Sequence, residues 1–136
     1  MLRWAFGLIV LLVSALPASA GWDGWWWQRL PACGDHGVLH VMAEQAAWAE
    51  HNTWHRGWVV SNITNTGETA LDPGPSKVHR RYCRGTAWLS NGRRTDLVYL
   101  IEADLGFVSI GWKVEFCMPA YDPWRIGDEW CRAIRP

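Results

Sequence analysis

The chain has 136 residues, of which 49% are hydrophobic, and its 13 basic and 13 acidic side chains give a formal net charge of zero. This balance provides no overall attraction to nucleic acid or to an anionic membrane surface, so we expect neither as a partner. The length suits a single domain with a modest core.

The first twenty residues predict a signal peptide. Arg3 supplies a positive charge, an apolar run covers residues 8–13, and Ala18-Ser19-Ala20 is a small-x-small cleavage site. The run is much shorter than the roughly 20 residues of a membrane span, although a short anchor is the alternative. We expect cleavage after Ala20, no membrane span in the mature chain, and a periplasmic or secreted protein. Removal of residues 1–20 leaves 116 residues with 12 basic and 13 acidic side chains, a net charge of −1.

The mature chain contains four cysteines, which are Cys33, Cys83, Cys117 and Cys131. An even number in an exported domain of this size predicts two disulfides. A metal site is the alternative, but there is no C-x-x-C pair, and the separations of 50, 34 and 14 residues match no zinc pattern. We therefore expect no metal and no cofactor.

Residues 21–31 form a Trp-rich leader without a helical or strand period, and it precedes a single domain over residues 32–136. Four of its residues are tryptophans, at Trp22, Trp25, Trp26 and Trp27. Exposed indoles at this density would be adhesive, so we expect them either to pack on the domain or to contact a partner.

The leader is followed by a predicted helix from about residue 37 to residue 52. Asp35 is a suitable N-cap, and Gly57 is a suitable stop signal. At 100° per residue, one sector of the helix collects small and aliphatic side chains, namely Val38, Leu39, Met42, Ala46 and Ala49. This contact face is suited to packing on a sheet.

The hydrophobic period then changes to two, which predicts strands over residues 58–64, 78–90, 93–103 and 107–118. Residues 65–77 read as a loop because they contain Asp72-Pro73-Gly74-Pro75. One helix followed by a four-stranded antiparallel meander is an α+β fold in which the helix covers one sheet face.

Turn chemistry predicts the strand register. Asn91-Gly92 favours a two-residue hairpin turn, which places Cys83 opposite Leu100. A three-residue loop over residues 104–106 then places Val98 opposite Trp112 and Leu100 opposite Ile110.

This register predicts which side chains share the helix-covered face. The expected set is Cys83, Ala87, Leu89, Val98, Leu100, Val108, Ile110, Trp112, Val114 and Phe116. Cys117 points to the other face, where only the C-terminal tail can reach it. We therefore predict the disulfides Cys33–Cys83 and Cys117–Cys131.

Catalytic and metal-binding patterns are weak in this sequence. His40/Glu44 and His51/His55 are i,i+4 pairs, but each pair alone supplies too few ligands for a metal ion. No nucleophile motif or paired-carboxylate pattern is recognisable, and the register explains Glu102 as the ion-pair partner of Arg81. We expect no catalytic residues.

The unusual feature is the number of aromatic residues, since eleven tryptophans remain after cleavage. We predict a non-enzymatic module that binds an envelope protein through an aromatic surface; a glycan-binding module is the alternative, and a small periplasmic enzyme is the second alternative. The candidate surface residues are Trp25, Trp26, Trp27, Tyr82, Arg84, Trp88 and Tyr99. The contrasting interpretation is a solvated sheet face on which Arg80, Arg81, Arg84, Arg93 and Arg94 pair with acids and lie over aromatic rings.

Several short strings of the mature chain are distinctive together. They are Ala47-Trp48-Ala49-Glu50, Asn52-Thr53-Trp54-His55-Arg56-Gly57, Tyr82-Cys83, Ser90-Asn91-Gly92, Gly106-Phe107-Val108-Ser109-Ile110-Gly111, Val114-Glu115-Phe116-Cys117, Asp122-Pro123-Trp124 and Cys131-Arg132. With these strings the chain resembles a family of small, uncharacterised exported proteins from alphaproteobacteria. The likeness covers roughly residues 31–135 and implies export and a shared fold, but no activity. A looser likeness to cystatin-like folds lacks the inhibitor motif Q-x-V-x-G and so implies no function.

Overall fold

The computed structural model describes residues 30–72, 78–103, 111–121 and 130–136. These contain helix α1 (His36–Ala49), a π-helical turn (Glu50–Trp54), and strands β1 (Val60–Asp72), β2 (Arg80–Leu89), β3 (Arg94–Ala103) and β4 (Trp112–Cys117). Short 3-10 turns follow at Pro119–Tyr121 and Arg132–Ile134. The strands pair antiparallel in the order β1-β2-β3-β4, so the predicted α+β fold, one helix on a four-stranded meander, is confirmed. In the described ranges, no helix is both long and apolar enough to cross a membrane.

Helix α1 begins where the sequence predicts. The Asp35 carboxylate accepts hydrogen bonds from the backbone N–H groups of Gly37, at 2.8 Å, and Val38, at 3.4 Å, so two donors without a helical partner are satisfied. The helix widens into the π-helical turn after Ala49, and the chain leaves it at His55, whose φ is 51°.

The face of α1 that contacts the sheet is the predicted one, since Val38, Met42 and Ala46 are buried. The buried side chains of the sheet that form the core with this helix are Cys83, Ala87, Leu89, Leu97, Tyr99, Ile101 and Val114. Full burial of a side chain the size of Val38 or Met42 stabilises the fold by about 1.5–3 kcal/mol. We call this side of the sheet the helix face and the opposite side the outer face.

Strand β1 is longer than predicted, because it continues through the polar residues assigned to a loop as far as Asp72. Its pairing with β2 is interrupted by register shifts, one of them between Thr64 and Gly67, where Asn65 has a φ of 51°. Bulges of this kind let an edge strand absorb turn-forming residues without ending.

The β2–β3 hairpin differs from the prediction by one residue. Leu89 accepts a hydrogen bond from Gly92 and donates one to the Arg93 carbonyl, so the loop has three residues, and Gly92 takes the left-handed conformation at φ 81°. This is the alternative that suits a glycine in the last loop position. Cys83 consequently pairs with Tyr99 instead of Leu100.

The β3–β4 register was also predicted wrongly, because Val98 pairs with Cys117 instead of Trp112, a shift of five residues. Strand β4 begins at Trp112, and the predicted strand residues 107–110 lie outside the described ranges. As a result, the prediction that Val98 and Leu100 face the helix is wrong; both lie on the outer face.

The predicted disulfides are nevertheless both present. Cys33–Cys83 and Cys117–Cys131 have Cα–Cα distances of 5.8 and 5.7 Å. The two register errors, of one and five residues, are both odd, so they cancel in deciding which face of β4 lies with Cys83. Two disulfides fit an extracellular or periplasmic protein.

The tail after β4 covers one end of the outer face. Cys131 and Ile134 are buried there against Leu100, and the half-buried Tyr82 and Val98 pack on the same cluster. The other end of the outer face, towards the β2–β3 hairpin, carries a different set of side chains.

Candidate functional site

The end of the outer face beside the β2–β3 hairpin carries polar side chains around one indole. The paired rows are Asn62–Trp88–Arg94 and Thr64–Thr86–Asp96, and Arg84 lies in the next row on β2. Directly opposed strand residues point to the same side of a sheet, so these side chains form one surface. We call these seven residues, Asn62, Thr64, Arg84, Thr86, Trp88, Arg94 and Asp96, the Trp88 patch.

The indole of Trp88 is held in place while part of it faces solvent. Its Nε1–H donates a hydrogen bond of 2.9 Å to the Thr64 hydroxyl oxygen on the adjacent strand. The guanidinium carbon of Arg94 lies 5.8 Å from the ring centroid, within the range of cation–π attraction. The residue is still 37% exposed, so a fixed aromatic surface is accessible to a ligand.

The patch has more basic than acidic side chains. It contains two basic side chains, Arg84 and Arg94, and one acid, Asp96. Within the described part of the chain, neither of these arginines forms a salt bridge. The patch can therefore offer guanidinium groups to a ligand.

Charges at the covered end of the outer face are used differently. Glu102 is buried between Arg80, at 2.6 Å, and Lys113, at 2.7 Å. Burial works to raise the pKa of this carboxyl, but hydrogen bonds from Lys113 and Arg80 outweigh it and hold the pKa below its ordinary value. Each of these three charged groups has its partner within the fold, so none of them requires a ligand.

The predicted partner of Glu102 was wrong. On the observed register Arg81 lies opposite Ile101 and points to the helix face, where its Nε is 2.8 Å from Glu68. It also donates hydrogen bonds to the carbonyls of Leu30 and Pro31, which anchor the end of the leader. On the outer face, Arg80 pairs with an acid and Arg94 lies near a ring, as the contrasting interpretation predicted. Arg81 also pairs with an acid, but its predicted place on a solvated sheet face was wrong.

The aromatic surface predicted from the sequence divides between locations. Tyr82, Arg84 and Trp88 share the outer face, but Tyr82 is half-buried beneath the tail. Tyr99 is wrong as a surface residue, because the one-residue register error placed it on the outer face. Trp25, Trp26 and Trp27 lie outside the described residues, so their role stays a prediction.

Tyr99 instead fixes the start of the helix. It is fully buried on the helix face, and its hydroxyl donates a hydrogen bond of 2.7 Å to the carbonyl of Cys33. Since Cys33 is also bonded to Cys83, the strand neighbour of Tyr99, the helix entry is attached to the sheet twice. Burial raises the pKa of Tyr99 to about 12.

A second aromatic cluster surrounds Arg56, between the π-helical turn and β1. Its guanidinium carbon lies 4.0 Å from the ring centroid of Trp54 and 3.9 Å from that of Trp58. Its Nε donates a hydrogen bond of 3.1 Å to the buried carboxylate of Glu50, and Trp58 contacts the ring of Tyr121 at 4.7 Å. The chain's own arginine fills the space between these rings, so the cluster is structural.

The histidine pairs provide no metal centre in the described ranges. His40 Nε2 lies 3.3 Å from the Glu44 carboxylate in an exposed pair. No group of three or more His, Cys, Asp or Glu side chains is placed to hold a metal ion in those ranges.

Three neighbours of Trp88 were not predicted from the sequence, namely Asn62, Thr64 and Asp96. The alternation of β2 already separated Arg84, Thr86 and Trp88 from Cys83, and a correct hairpin register would have added Asp96. Thr64 required the bulged pairing of β1, for which the sequence offers no direct signal.

Comparisons with protein-family models, with curated proteins and with solved structures find no match to this chain. Membership of the alphaproteobacterial family therefore stays a prediction.

Proposed function

We propose that the mature chain is an exported, non-enzymatic module that binds a polysaccharide through the Trp88 patch. The observation that carries the proposal is the indole of Trp88, which is 37% exposed, fixed by Thr64 and bordered by amide, hydroxyl, guanidinium and carboxylate groups.

The chemistry of the patch suits sugar rings. A pyranose has an apolar C–H face, which stacks on an aromatic ring, and a rim of hydroxyl groups, which need hydrogen-bond partners. The patch supplies an indole for the first and Asn62, Thr86 and Asp96 for the second. The core of a protein-docking surface is instead depleted in charged residues, whereas Trp88 is flanked by polar side chains on its own and both adjacent strands.

The proposal is tested by affinity electrophoresis through gels that contain soluble polysaccharides, both neutral glucans and acidic polymers. The wild-type protein should be retarded by at least one of them. Trp88→Ala should weaken this retention by about tenfold, the loss expected when one aromatic stacking contact is removed. Trp88→Tyr, which keeps a ring at the same position, should retain most of the binding.

The matched control is Trp48→Ala, which removes an indole that is 66% exposed on α1, away from the outer face. It should leave retention unchanged. Thermal unfolding of each variant separates a loss of binding from a loss of folding. Unchanged retention in folded Trp88→Ala, or no retention by any polymer, would reject the proposal.

A second candidate function is docking to an envelope protein, and it is favoured by the exposure of Trp48 and Trp130, at 66% and 68%. Interface residues of this type contribute strongly when they are buried by a partner. A protein that co-purifies with the wild type should then be lost from Trp48→Ala/Trp130→Ala but kept by Trp88→Ala. The reverse pattern would reject this candidate.

We also propose that the first twenty residues are removed during export. The support is the disulfide pair, which fits an oxidising compartment. A mass spectrum of protein secreted by a bacterial host, after alkylation without reductant, should begin at Gly21 and show no labelled thiol. An uncleaved or fully alkylated protein would contradict export.

A further inference from the structure

Building on the proposed polysaccharide binding, we infer that the ligand is an acidic polysaccharide whose sugar rings carry carboxylate groups, that is, a polyuronate. The inference comes from the distribution of charge on the sheet and from the position of Arg94 beside Trp88.

Arginines elsewhere on the sheet are neutralised by the chain itself. Arg80 is paired with Glu102, and Arg81 is paired with Glu68. Arg84 and Arg94 lie on the same two strands as these residues, yet neither has a carboxylate within ion-pair distance in the described ranges. With Asp96 as the one acid of the patch against these two arginines, the surface carries a local positive charge although the mature chain does not.

The geometry connects this charge to the stacking surface. Trp88 and Arg94 are direct cross-strand neighbours, with 5.8 Å between the ring centroid and the guanidinium carbon. A uronic acid stacked on the indole carries its carboxylate on the same ring, so one sugar can satisfy both residues. A guanidinium group binds a carboxylate through two parallel hydrogen bonds, which makes arginine more selective here than a simple point charge.

Arg84 extends the site along the strand. It lies four residues from Trp88 on β2 and on the same face, about 13 Å away at the rise of an extended strand. A polymer that crosses the patch in this direction presents a second carboxylate to Arg84. The repeat of one charge per ring therefore matches a surface with two separated arginines.

The test compares polygalacturonate with its methyl ester, which keeps the sugar ring but removes the charge. The wild type should bind the acid form at least about tenfold more tightly at low salt. Arg84→Gln should remove part of this preference, because Arg94 stays in place beside the indole. Arg84 is the residue to change because it lies away from the indole, so its loss leaves the stacking surface undisturbed. Asp96→Asn should tighten binding of the acid form about two- to fivefold by removing the repelling charge. Arg135→Gln removes the same charge from the exposed tail, outside the patch, and should have no effect on this preference.

The outcomes separate the inference from the proposed function. If the wild type binds the acid and its ester equally, and Trp88→Ala weakens the binding of both, the acid preference is overturned and polysaccharide binding is retained. Binding of the acid form that Trp88→Ala leaves undiminished is simple ion exchange and overturns both. Failure of the wild type to bind any polymer also overturns both.

Discussion

The outer sheet face carries charged residues of the same types at both of its ends, but their roles differ. At the covered end, Arg80 and Lys113 neutralise the buried Glu102, and the Cys117–Cys131 disulfide holds the tail over the sheet. The other end, beside the β2–β3 hairpin, is left uncovered by the described residues, and we call it the uncovered end. Arg84 and Arg94 have no carboxylate partner there in the described ranges. A charged side chain satisfied within the fold contributes to stability, whereas one that lacks a partner is available to a ligand.

We therefore expect the two ends to respond differently to substitution. Substitutions at the covered end and on the helix face should change the free energy of unfolding, and substitutions in the Trp88 patch should change binding with little change in stability.

Removal of the disulfides should have the largest effects. Cys33–Cys83 closes a separation of 50 residues and Cys117–Cys131 one of 14. The loop-entropy relation gives a loss of about 4 kcal/mol for the first pair and about 3 kcal/mol for the second when both cysteines become alanine. Urea unfolding of Cys33→Ala/Cys83→Ala and Cys117→Ala/Cys131→Ala measures the two losses.

The second of these variants also tests whether the two ends of the outer face are independent. While it is folded, Cys117→Ala/Cys131→Ala should retain polysaccharide binding, because the described part of the tail, residues 130–136, covers the end away from Trp88. Loss of binding in this folded variant would show that the two ends are not independent.

The next largest effect is expected at Glu102. Glu102→Gln removes two charged hydrogen bonds from a buried site and should destabilise the fold by about 2 kcal/mol at pH 7. The loss is no larger because Arg80 and Lys113 are partly exposed and water can solvate them when the carboxylate is absent. The pKa of the folded carboxyl lies below 4.5, so its contribution is present above that value and is lost as the pH falls through the folded pKa. The unfolding free energies of the wild type and of Glu102→Gln, measured in urea, should therefore become equal in acid.

Glu115→Gln is the matched control for this prediction. Its carboxylate contacts the same Lys113, at 3.3 Å, but is more than half exposed. We expect a change in unfolding free energy of less than about 0.5 kcal/mol. Equal effects of the two substitutions would contradict the structural role of Glu102.

On the helix face, Tyr99→Phe should destabilise the fold by about 1 kcal/mol, because the carbonyl of Cys33 loses its hydrogen bond. Burial raises the pKa of Tyr99 from 10.0 to about 12, so the wild type should also lose stability as the pH rises between these values. Unfolding curves at pH 7 and pH 11 should show this alkaline loss in the wild type and a smaller loss in Tyr99→Phe. Tyr82→Phe on the outer face should leave the alkaline loss in place.

Features decided by local chemistry were predictable from the sequence. The Asp35 cap, the buried side of α1 and the α+β class follow from short-range patterns, and all three are present. The disulfides were also predicted correctly, but their derivation depended on two odd register errors that cancelled. A single error of this kind would have reversed the pairing.

Features decided by pairing over longer distances were not predictable. A hairpin loop of two or three residues fits the same Asn91-Gly92 sequence, and that one residue determines whether Tyr99 or Leu100 faces the helix. The extension of β1 to Asp72 depends on bulges, which absorb polar residues that otherwise indicate a loop. The Trp88 patch was incomplete for this reason, since four of the six polar residues around the indole come from β1 and β3.

The smallest expected change in stability gives the sharpest test of the uncovered end. Thr64→Val keeps the shape of the side chain but removes the acceptor of the Trp88 Nε1–H, at 2.9 Å. The site is accessible to water, which can replace this bond, so we expect the unfolding free energy to change by less than about 0.5 kcal/mol. The indole loses its fixed orientation, so a ligand must order it on binding, and the affinity should weaken by about two- to threefold.

The control is Thr69→Val, at an exposed threonine of the same strand, which should alter neither the unfolding free energy nor the affinity. Urea unfolding measures the first quantity and affinity electrophoresis the second. A loss of stability without a loss of binding would place Trp88 with the structural residues of the covered end.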